Sequence, residues 1–159
     1  MTVRDARIED IESLARVWFE SWHEAHAALV PPDIVRHRTL ASFQVRLHAE
    51  IHLVRVDGPV GRPIGLCLVV GDELSQLFVS PESYGSGVAV ALERDAVQRF
   101  RRRQVSLAWL ACAVGNERAA RFYERHGWTR AGIRSYELTG EGRAWPIDVW
   151  RYEKRLQGR

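Results

Sequence analysis

The sequence is 159 residues long, 46% hydrophobic and 27% charged, with a net charge of +3. A chain of this size can bury enough surface for one folded domain, and we expect a single domain over residues 1–159. It has no run of about 20 apolar residues, which excludes a membrane helix. Its start lacks the basic-then-apolar pattern of a signal peptide, so we expect a cytoplasmic protein.

The charge pattern argues against a nucleic-acid partner, and the positions of the cysteines argue against a disulfide or a metal site. The 23 basic residues are spread along the chain among 20 acidic ones, and the run Arg101–Arg103 falls where a helix is predicted to end, a place that favours cations. We therefore expect no nucleic-acid partner, and salt-dependent binding to random DNA would contradict this. Cys67 and Cys112 lie in apolar runs, which predicts buried free thiols rather than a disulfide or a metal site.

The first half of the chain predicts two helical regions followed by strands. After a short strand at residues 2–6, apolar residues recur at helical spacing from Ile11 and predict an amphipathic helix to about Ala27. Pro31 and Pro32 end this helix, and residues 33–49 form a second, less regular helical region. Three strands with glycine turns between them predict an antiparallel meander at residues 51–56, 63–70 and 73–79.

The second half alternates helices with strands. A loop with two glycines, residues 84–89, leads into an amphipathic helix that ends near Phe100. A continuous apolar run, residues 105–114, predicts a strand covered on both faces. Asn116 is suited to begin the next helix and Gly127 to end it. The last predicted strands form a hairpin at residues 128–138 and 146–154.

The loop at residues 84–89 has the properties of a phosphate cradle. Gly85 and Gly87 lack the Cβ atoms that would keep a pyrophosphate from the backbone. The first amides of the helix that follows have no acceptor within that helix. A glycine pair between a strand and a helix also occurs where the two merely pack closely, so the loop alone leaves both interpretations open.

A second segment, residues 114–128, favours a ligand. It matches the pattern Asn-x-x-Ala-x-x-Phe-Tyr-x-x-x-Gly-Phe at Asn116, Ala119, Phe122, Tyr123 and Gly127, with Trp128 as the final aromatic residue. Gly87 and Ala89 match the end of the pattern Gln/Arg-x-x-Gly-x-Gly/Ala. In this order the two segments resemble motifs A and B of the GCN5-related N-acetyltransferase (GNAT) superfamily.

The resemblance covers essentially the whole chain and implies an α/β fold. Its sheet is mixed and mostly antiparallel, with about seven strands, four main helices and a splayed parallel pair of strands at the centre. The implied cosubstrate is acetyl-CoA, with its pantetheine arm paired to the backbone of Phe78 and Val79 and contacted by Asn116. Its pyrophosphate would lie on the loop amides of Gly85, Ser86, Gly87, Val88 and Ala89. No metal is implied, and dimers are common among relatives.

The implied reaction is direct transfer of an acetyl group, in a ternary complex, to a primary amine of a small metabolite or a peptide. The amine must lose a proton, and Glu73 is the candidate base, although a solvated strand-end glutamate is an equally good interpretation. The N–H of Leu77 or Val79 is a candidate to stabilise the oxyanion. Tyr123 is the candidate acid for the CoA thiolate, whereas Phe122 is expected to pack on the sheet.

Two positions depart from the family pattern. Tyr84 stands where the pattern has Gln or Arg, and Ser86 where a basic residue is common. Since the amides are unaffected, we expect weaker cofactor binding or help from three nearby arginines, Arg118, Arg121 and Arg125. A degenerate member that binds or senses an acyl-CoA without catalysis is the alternative function.

The acceptor site is less determined by the sequence. Trp22 and His26, with His23 and Glu24, end the first helix and are candidates to line an amine pocket. His23 and His26 also have the spacing of helical metal ligands, but no third ligand is near in sequence. Three residues of the last hairpin either close the pocket or form a dimer contact: Arg143, Trp145 and Asp148.

Overall fold

The computed structural model describes residues 2–156. Its strands are β1 (Val3–Asp5), β2 (Val54–Asp57), β3 (Gly65–Val70), β4 (Glu73–Val79), β5 (Leu107–Ala113), β6 (Thr129–Gly140) and β7 (Arg143–Arg155). Its α-helices are α1 (Ile11–His26), α2 (Pro32–His37), α3 (Leu40–Glu50), α4 (Val88–Arg102) and α5 (Glu117–Arg125). Within residues 2–156, no helix combines the length and the apolar character that crossing a membrane requires.

The seven strands form one sheet in the order β1-β2-β3-β4-β5-β7-β6. Neighbouring strands are antiparallel except for β4 and β5, which are parallel. This confirms the expected mixed sheet with its parallel pair at the centre. Helices α1 to α3 cover one face around Trp18 and Phe43, and α4 and α5 cover the other around Leu92 and Phe100. The site described below lies where the central pair separates.

The predicted second helical region is two helices, so residues 2–156 contain five α-helices, one more than the expected four main helices. Arg38 leaves the helical conformation, with φ of −88° and ψ of 69°. Thr39 then caps α3, since its hydroxyl accepts a hydrogen bond of 3.0 Å from the N–H of Ser42. The cap starts a new helix at Leu40 and leaves Arg38 at the corner between the two.

Two predicted strands have different bounds. Residues 51–53 form a turn of 3-10 helix, so β2 begins at Val54. The last hairpin is longer than predicted and closes at Glu141 and Gly142, which both have positive φ, as a tight two-residue turn requires. The longer hairpin brings the ends of β6 and β7 to α2.

The parallel strands β4 and β5 are paired at Glu73 and Trp109. Trp109 also donates its main-chain N–H to the Asp72 carbonyl oxygen and its indole N–H to the Asp72 carboxylate, both at 3.0 Å. Ser75 is an extra residue in β4 relative to β3, and a bulge of this kind bends a strand. Beyond it the two strands diverge and leave a gap.

Candidate active site

Two cavities meet in the gap between β4 and β5. The larger cleft, of about 590 Å³, extends to the loop before α4 and to α5. The smaller cavity, of about 120 Å³, is partly open and is lined by residues of α1, α3, the last hairpin and the two central strands. The residues that line both are Leu77, Phe78, Asn116, Ala119 and Tyr123. Two cavities that share these lining residues suit a reaction between two bound molecules.

The glycine loop forms one end of the larger cleft. Gly85 and Gly87 have φ of 79° and 93°, and a Cβ built on either would meet no atom within 4 Å, so the surface of the loop is open. The first bond of α4 runs from the N–H of Ala91 to Gly87, which leaves the amides of residues 88–90 without helical acceptors. The amide of Ser86 already donates to Ser83 (3.1 Å). Of the five predicted cradle residues, Gly85, Gly87 and Ala89 line the cleft, and Ser86 and Val88 do not.

The edge of β4 supplies further main-chain groups. The N–H of Ser80 donates to Ile64 on the β3 side, at 2.8 Å. Because main-chain groups alternate in direction along a strand, those of Phe78 also point toward β3, and those of Leu77 and Val79 face the gap. The main chain of Phe78 therefore faces Leu66 of β3 and is not free for the expected pairing with a pantetheine arm, whereas its side chain lines both cavities.

Asn116 and Tyr123 are placed by α5. The Asn116 side chain caps this helix by accepting a hydrogen bond of 3.4 Å from the N–H of Ala119. Tyr123 is 9% exposed, and burial raises the pKa of its phenol well above the usual value, so the hydroxyl stays protonated near neutral pH. Phe122 lines the larger cleft and also packs against the core. Tyr123 is therefore the buried member of this aromatic pair.

Glu73 lies at the closed end of the gap and reaches the smaller cavity through Tyr136. The hydroxyl of Tyr136 donates to the Glu73 carboxylate at 3.0 Å, and Tyr136 lines the smaller cavity whereas Glu73 does not. Burial raises the pKa of Glu73, and the hydrogen bond from Tyr136 opposes this shift. The link through Tyr136 was not predicted from the sequence.

The end of α1 is divided between the two cavities. Trp22 and His26 line the smaller cavity, and Glu24 lines the larger cleft. The ring of His26 donates from Nδ1 to the carbonyl of Trp22 (3.1 Å), and burial lowers its pKa to about 4, so the imidazole is neutral at pH 7. His23 turns away and bonds the main-chain oxygen of Arg38 at 2.6 Å. Among residues 2–156, no three or more His, Cys, Asp or Glu side chains gather as a metal site.

The three candidates of the last hairpin lie outside both cavities. Arg143 forms a salt bridge of 2.7 Å with Asp33, and the indole N–H of Trp145 donates to the same carboxylate at 3.1 Å. These contacts hold β7 against α2 behind the smaller cavity. The side chain of Asp148 is exposed.

Tyr84 forms a bridge across the mouth of the larger cleft. Its hydroxyl donates to Glu24 of α1 at 2.5 Å, and the Arg118 guanidinium of α5 lies 4.2 Å from the centre of its ring. Arg118 also contacts Glu24 at 3.6 Å. Arg118 and Arg125 line the cleft, whereas Arg121 does not.

Comparison with known proteins identifies the family. Residues 8–128 match the Acetyltransferase (GNAT) family. The chain belongs to this family. An uncharacterized N-acetyltransferase of Mycobacterium bovis is 32% identical over 83 residues, which are 49% of this chain and 53% of that protein. The chain thus spans about half the length of the curated relatives it matches.

Solved GNAT structures share the fold along nearly the whole chain. The PaiA N-acetyltransferase of Thermoplasma acidophilum, in complex with coenzyme A, has a TM-score of 0.75 at 19% identity, covering 97% of this chain and 98% of that one. YncA of Salmonella typhimurium, with acetyl-CoA, has a TM-score of 0.72 at 17% identity, covering 100% and 95%. A GCN5-related N-acetyltransferase of Rhodopseudomonas palustris has a TM-score of 0.75 at 18% identity, covering 98% and 95%. These likenesses confirm the GNAT fold.

Proposed function

We propose that this GNAT protein is an N-acetyltransferase that transfers the acetyl group of acetyl-CoA to a primary amine. The observation that carries the proposal is the junction at Tyr123, where a cleft with open main-chain donors meets a second, smaller cavity. Solved relatives described as N-acetyltransferases or as holding CoA support it by analogy. The acceptor occupies the smaller cavity and attacks directly, in a ternary complex.

The larger cleft fits acetyl-CoA, which supplies an activated acetyl thioester. Gly85, Gly87 and the first amides of α4 bind the pyrophosphate, since a helix N-terminus favours an anion. Val79 offers its main-chain groups to the pantetheine arm, and Asn116 contacts the arm near the junction. The N–H of Leu77 or Val79 stabilises the negative charge that develops on the acetyl oxygen.

The Glu73–Tyr136 pair accepts the proton of the amine. An alkylammonium has a pKa of about 10 and cannot attack until it is deprotonated. Tyr136 takes a proton from the amine and passes its own to the Glu73 carboxylate, to which it is already hydrogen-bonded. No net charge then remains on Tyr136.

Tyr123 protonates the departing thiolate. The residue lies at the junction beside both cavities. Burial raises the pKa of its phenol, which by itself opposes proton loss, but the thiolate forms in the same buried place, where burial disfavours its charge too and makes it a better proton acceptor. Cys112 also lines the smaller cavity, but burial raises the pKa of its thiol to about 12, so it is a poor nucleophile. This favours direct attack by the amine over an acetyl-cysteine intermediate.

A screen of amines with acetyl-CoA tests the proposal. We expect thiol release that depends on the amine, together with an N-acetylated product detected by mass spectrometry. If CoA raises the melting temperature but no amine in a broad panel of metabolites and peptides is acetylated, the protein is a non-catalytic acyl-CoA-binding module and the proposal fails.

A further inference from the structure

The smaller cavity is lined by cationic groups without a balancing acid. Arg38 and Arg46 both line it, and among residues 2–156 no Asp or Glu side chain does. A pocket for a polyamine or for another cationic amine would gain from a carboxylate in its wall. The charge of this pocket points to an acceptor that carries a negative group.

Arg38 is the cation whose charge is not balanced. It is 9% exposed, and its contacts within the described chain are a hydrogen bond of 2.9 Å from Nη1 to the carbonyl of Thr139 and the face of Trp22, 5.6 Å from its guanidinium carbon. A guanidinium has five N–H donors, so most remain for a ligand. Burial and the charge of Arg46 lower the pKa of Arg38, which shows that its environment is unfavourable for a cation.

Arg46 differs from Arg38 because it has an acidic partner. Its Nε lies 3.2 Å from the carboxylate of Glu50, and its guanidinium packs on the ring of Trp18 at 4.9 Å. Its side chain is also 37% exposed, so solvent screens its charge. A bound anion would therefore compensate Arg38 first.

Several elements hold Arg38 in this position. His23 of α1 bonds its main-chain oxygen, and Thr39 starts α3 immediately after it. A Cβ at Gly140 would lie 3.0 Å from Nη1, so the glycine at the end of β6 leaves the space that the guanidinium uses. A buried charge is costly, and a structure that orders one so closely without an acidic partner indicates a binding role.

We propose that Arg38 binds a carboxylate of the acceptor, and that the acceptor is a small amine bearing a carboxylate, such as a free amino acid. The inference rests on the proposed acetyltransferase function. A carboxylate fits the planar fork of a guanidinium with two parallel hydrogen bonds. The small volume of the cavity favours a metabolite over a peptide.

Matched pairs of acceptors test the proposal. Amino acids and their carboxamides share the amine and differ in the charge, and 1,4-diaminobutane represents amines without a carboxylate. Amidation lowers the pKa of the amine, so the carboxamide has the larger fraction of unprotonated, reactive amine. This difference alone would favour the amide, so a preference for the acid cannot result from it. We expect the wild type to prefer at least one acid over its amide by about 10- to 100-fold in kcat/KM, the range for hydrogen bonds to a charged group.

Substitution of Arg38 should remove this preference. In Arg38→Gln we expect KM for the acid to rise by about 10-fold or more, with KM for the amide and for acetyl-CoA within about twofold of wild type. Arg38→Lys keeps the charge and should retain part of the preference. Arg36→Gln, an exposed arginine of the neighbouring helix, is the control and should match the wild type. Circular dichroism checks that each variant folds.

The outcomes separate this inference from the proposed function. If amides or the diamine are acetylated as well as the acids, the inference is overturned and the acetyltransferase remains. If no amine is acetylated, the proposed function fails. Whether Arg38 binds a carboxylate is then tested by the binding of an amino acid, measured as a shift in melting temperature. With CoA present, an amino acid should raise the melting temperature of wild type and not of Arg38→Gln; absence of any such shift in wild type overturns the inference.

Discussion

The larger cleft and the smaller cavity are built from different parts of the chain. The larger cleft uses main-chain donors from the loop at residues 84–89 and the edge of β4, so its chemistry depends little on side-chain identity. The smaller cavity uses charged and aromatic side chains that come from separate elements, among them Trp22, Arg38 and Tyr136. Side-chain substitutions in the smaller cavity can therefore change specificity without altering the main-chain donors of the larger cleft. Substitutions in the larger cleft should then change the KM for acetyl-CoA, and substitutions in the smaller cavity should change the kinetic constants for the amine.

The largest effect is expected at Tyr123, where the two sides meet. Replacing Tyr123 with Phe removes the proton donor but keeps the ring, so we expect kcat to fall by about 100-fold or more while both KM values stay within about twofold. Steady-state thiol release with varied amine and varied acetyl-CoA measures this. Phe122→Leu alters the neighbouring ring and should leave kcat within about threefold. Full turnover by Tyr123→Phe would show that another group protonates the thiolate.

A smaller loss is expected at Glu73, on the acceptor side. Glu73→Gln cannot take the proton from Tyr136, and we expect kcat/KM for the amine to fall by about 10- to 100-fold with the KM for acetyl-CoA unchanged. As the proposed base, Glu73 has to be in its charged form, and burial raises its pKa, so the wild-type rate should fall on acidification at a higher pH than for an ordinary carboxyl. The variant should lose this step of the pH profile. Tyr136→Phe should reproduce both changes.

Glu137→Gln is the control for Glu73, since Glu137 is exposed and adjacent to Tyr136 along β6. It should retain the wild-type profile. An unchanged rate and pH profile in Glu73→Gln would rule out the relay and leave water as the base, with Glu73 a structural residue at the closed end of the gap.

The sequence predicted the larger cleft better than the smaller cavity for a physical reason. Gly85, Gly87 and Asn116 act through local backbone geometry, which short patterns record. Arg38 reaches the cavity through a contact with Thr139, 101 residues away, and Tyr136 meets Glu73 across 63 residues. Neither pairing leaves a local pattern. The split of residues 33–49 was missed for a related reason, since the Thr39 cap is what creates the corner that holds Arg38.

Gly87 tests the cofactor side of the comparison. Alanine at a φ of 93° is strained by about 1–2 kcal/mol, so we expect the free loop of Gly87→Ala to relax out of the cradle conformation. Binding must then restore the strained conformation, which should raise the KM for acetyl-CoA by about 10-fold and leave the KM for the amine unchanged. Gly71→Ala is a matched control, because Gly71 also has positive φ and open surroundings but lies in the turn before β4. It should lower the melting temperature without changing either KM. If Gly71→Ala and Gly87→Ala raise the KM for acetyl-CoA equally, Gly87 is not part of the phosphate cradle.

The smallest effect is expected at Tyr84, one of the two positions that depart from the family pattern. Its hydroxyl donates to Glu24, a carboxylate in the wall of a cleft that we propose binds phosphates. Tyr84→Phe leaves that negative charge without its donor, and we expect the KM for acetyl-CoA to rise by about two- to threefold, the scale of one exposed hydrogen bond. Arg118 can still pack on the ring of phenylalanine, so the bridge itself should persist.

A double substitution assigns the Tyr84 effect to Glu24. Glu24→Gln removes a negative charge from the cleft and should lower the KM for acetyl-CoA slightly, by about twofold or less. If Tyr84 acts by neutralising Glu24, Tyr84→Phe should have no further effect in the Glu24→Gln background. An effect of equal size in both backgrounds would mean that the hydroxyl acts on the cofactor directly. In that case the Tyr84 side chain, and not only the main chain, contributes to acetyl-CoA binding in the larger cleft. The larger cleft and the smaller cavity would then differ less in their use of side chains than the backbone geometry indicates.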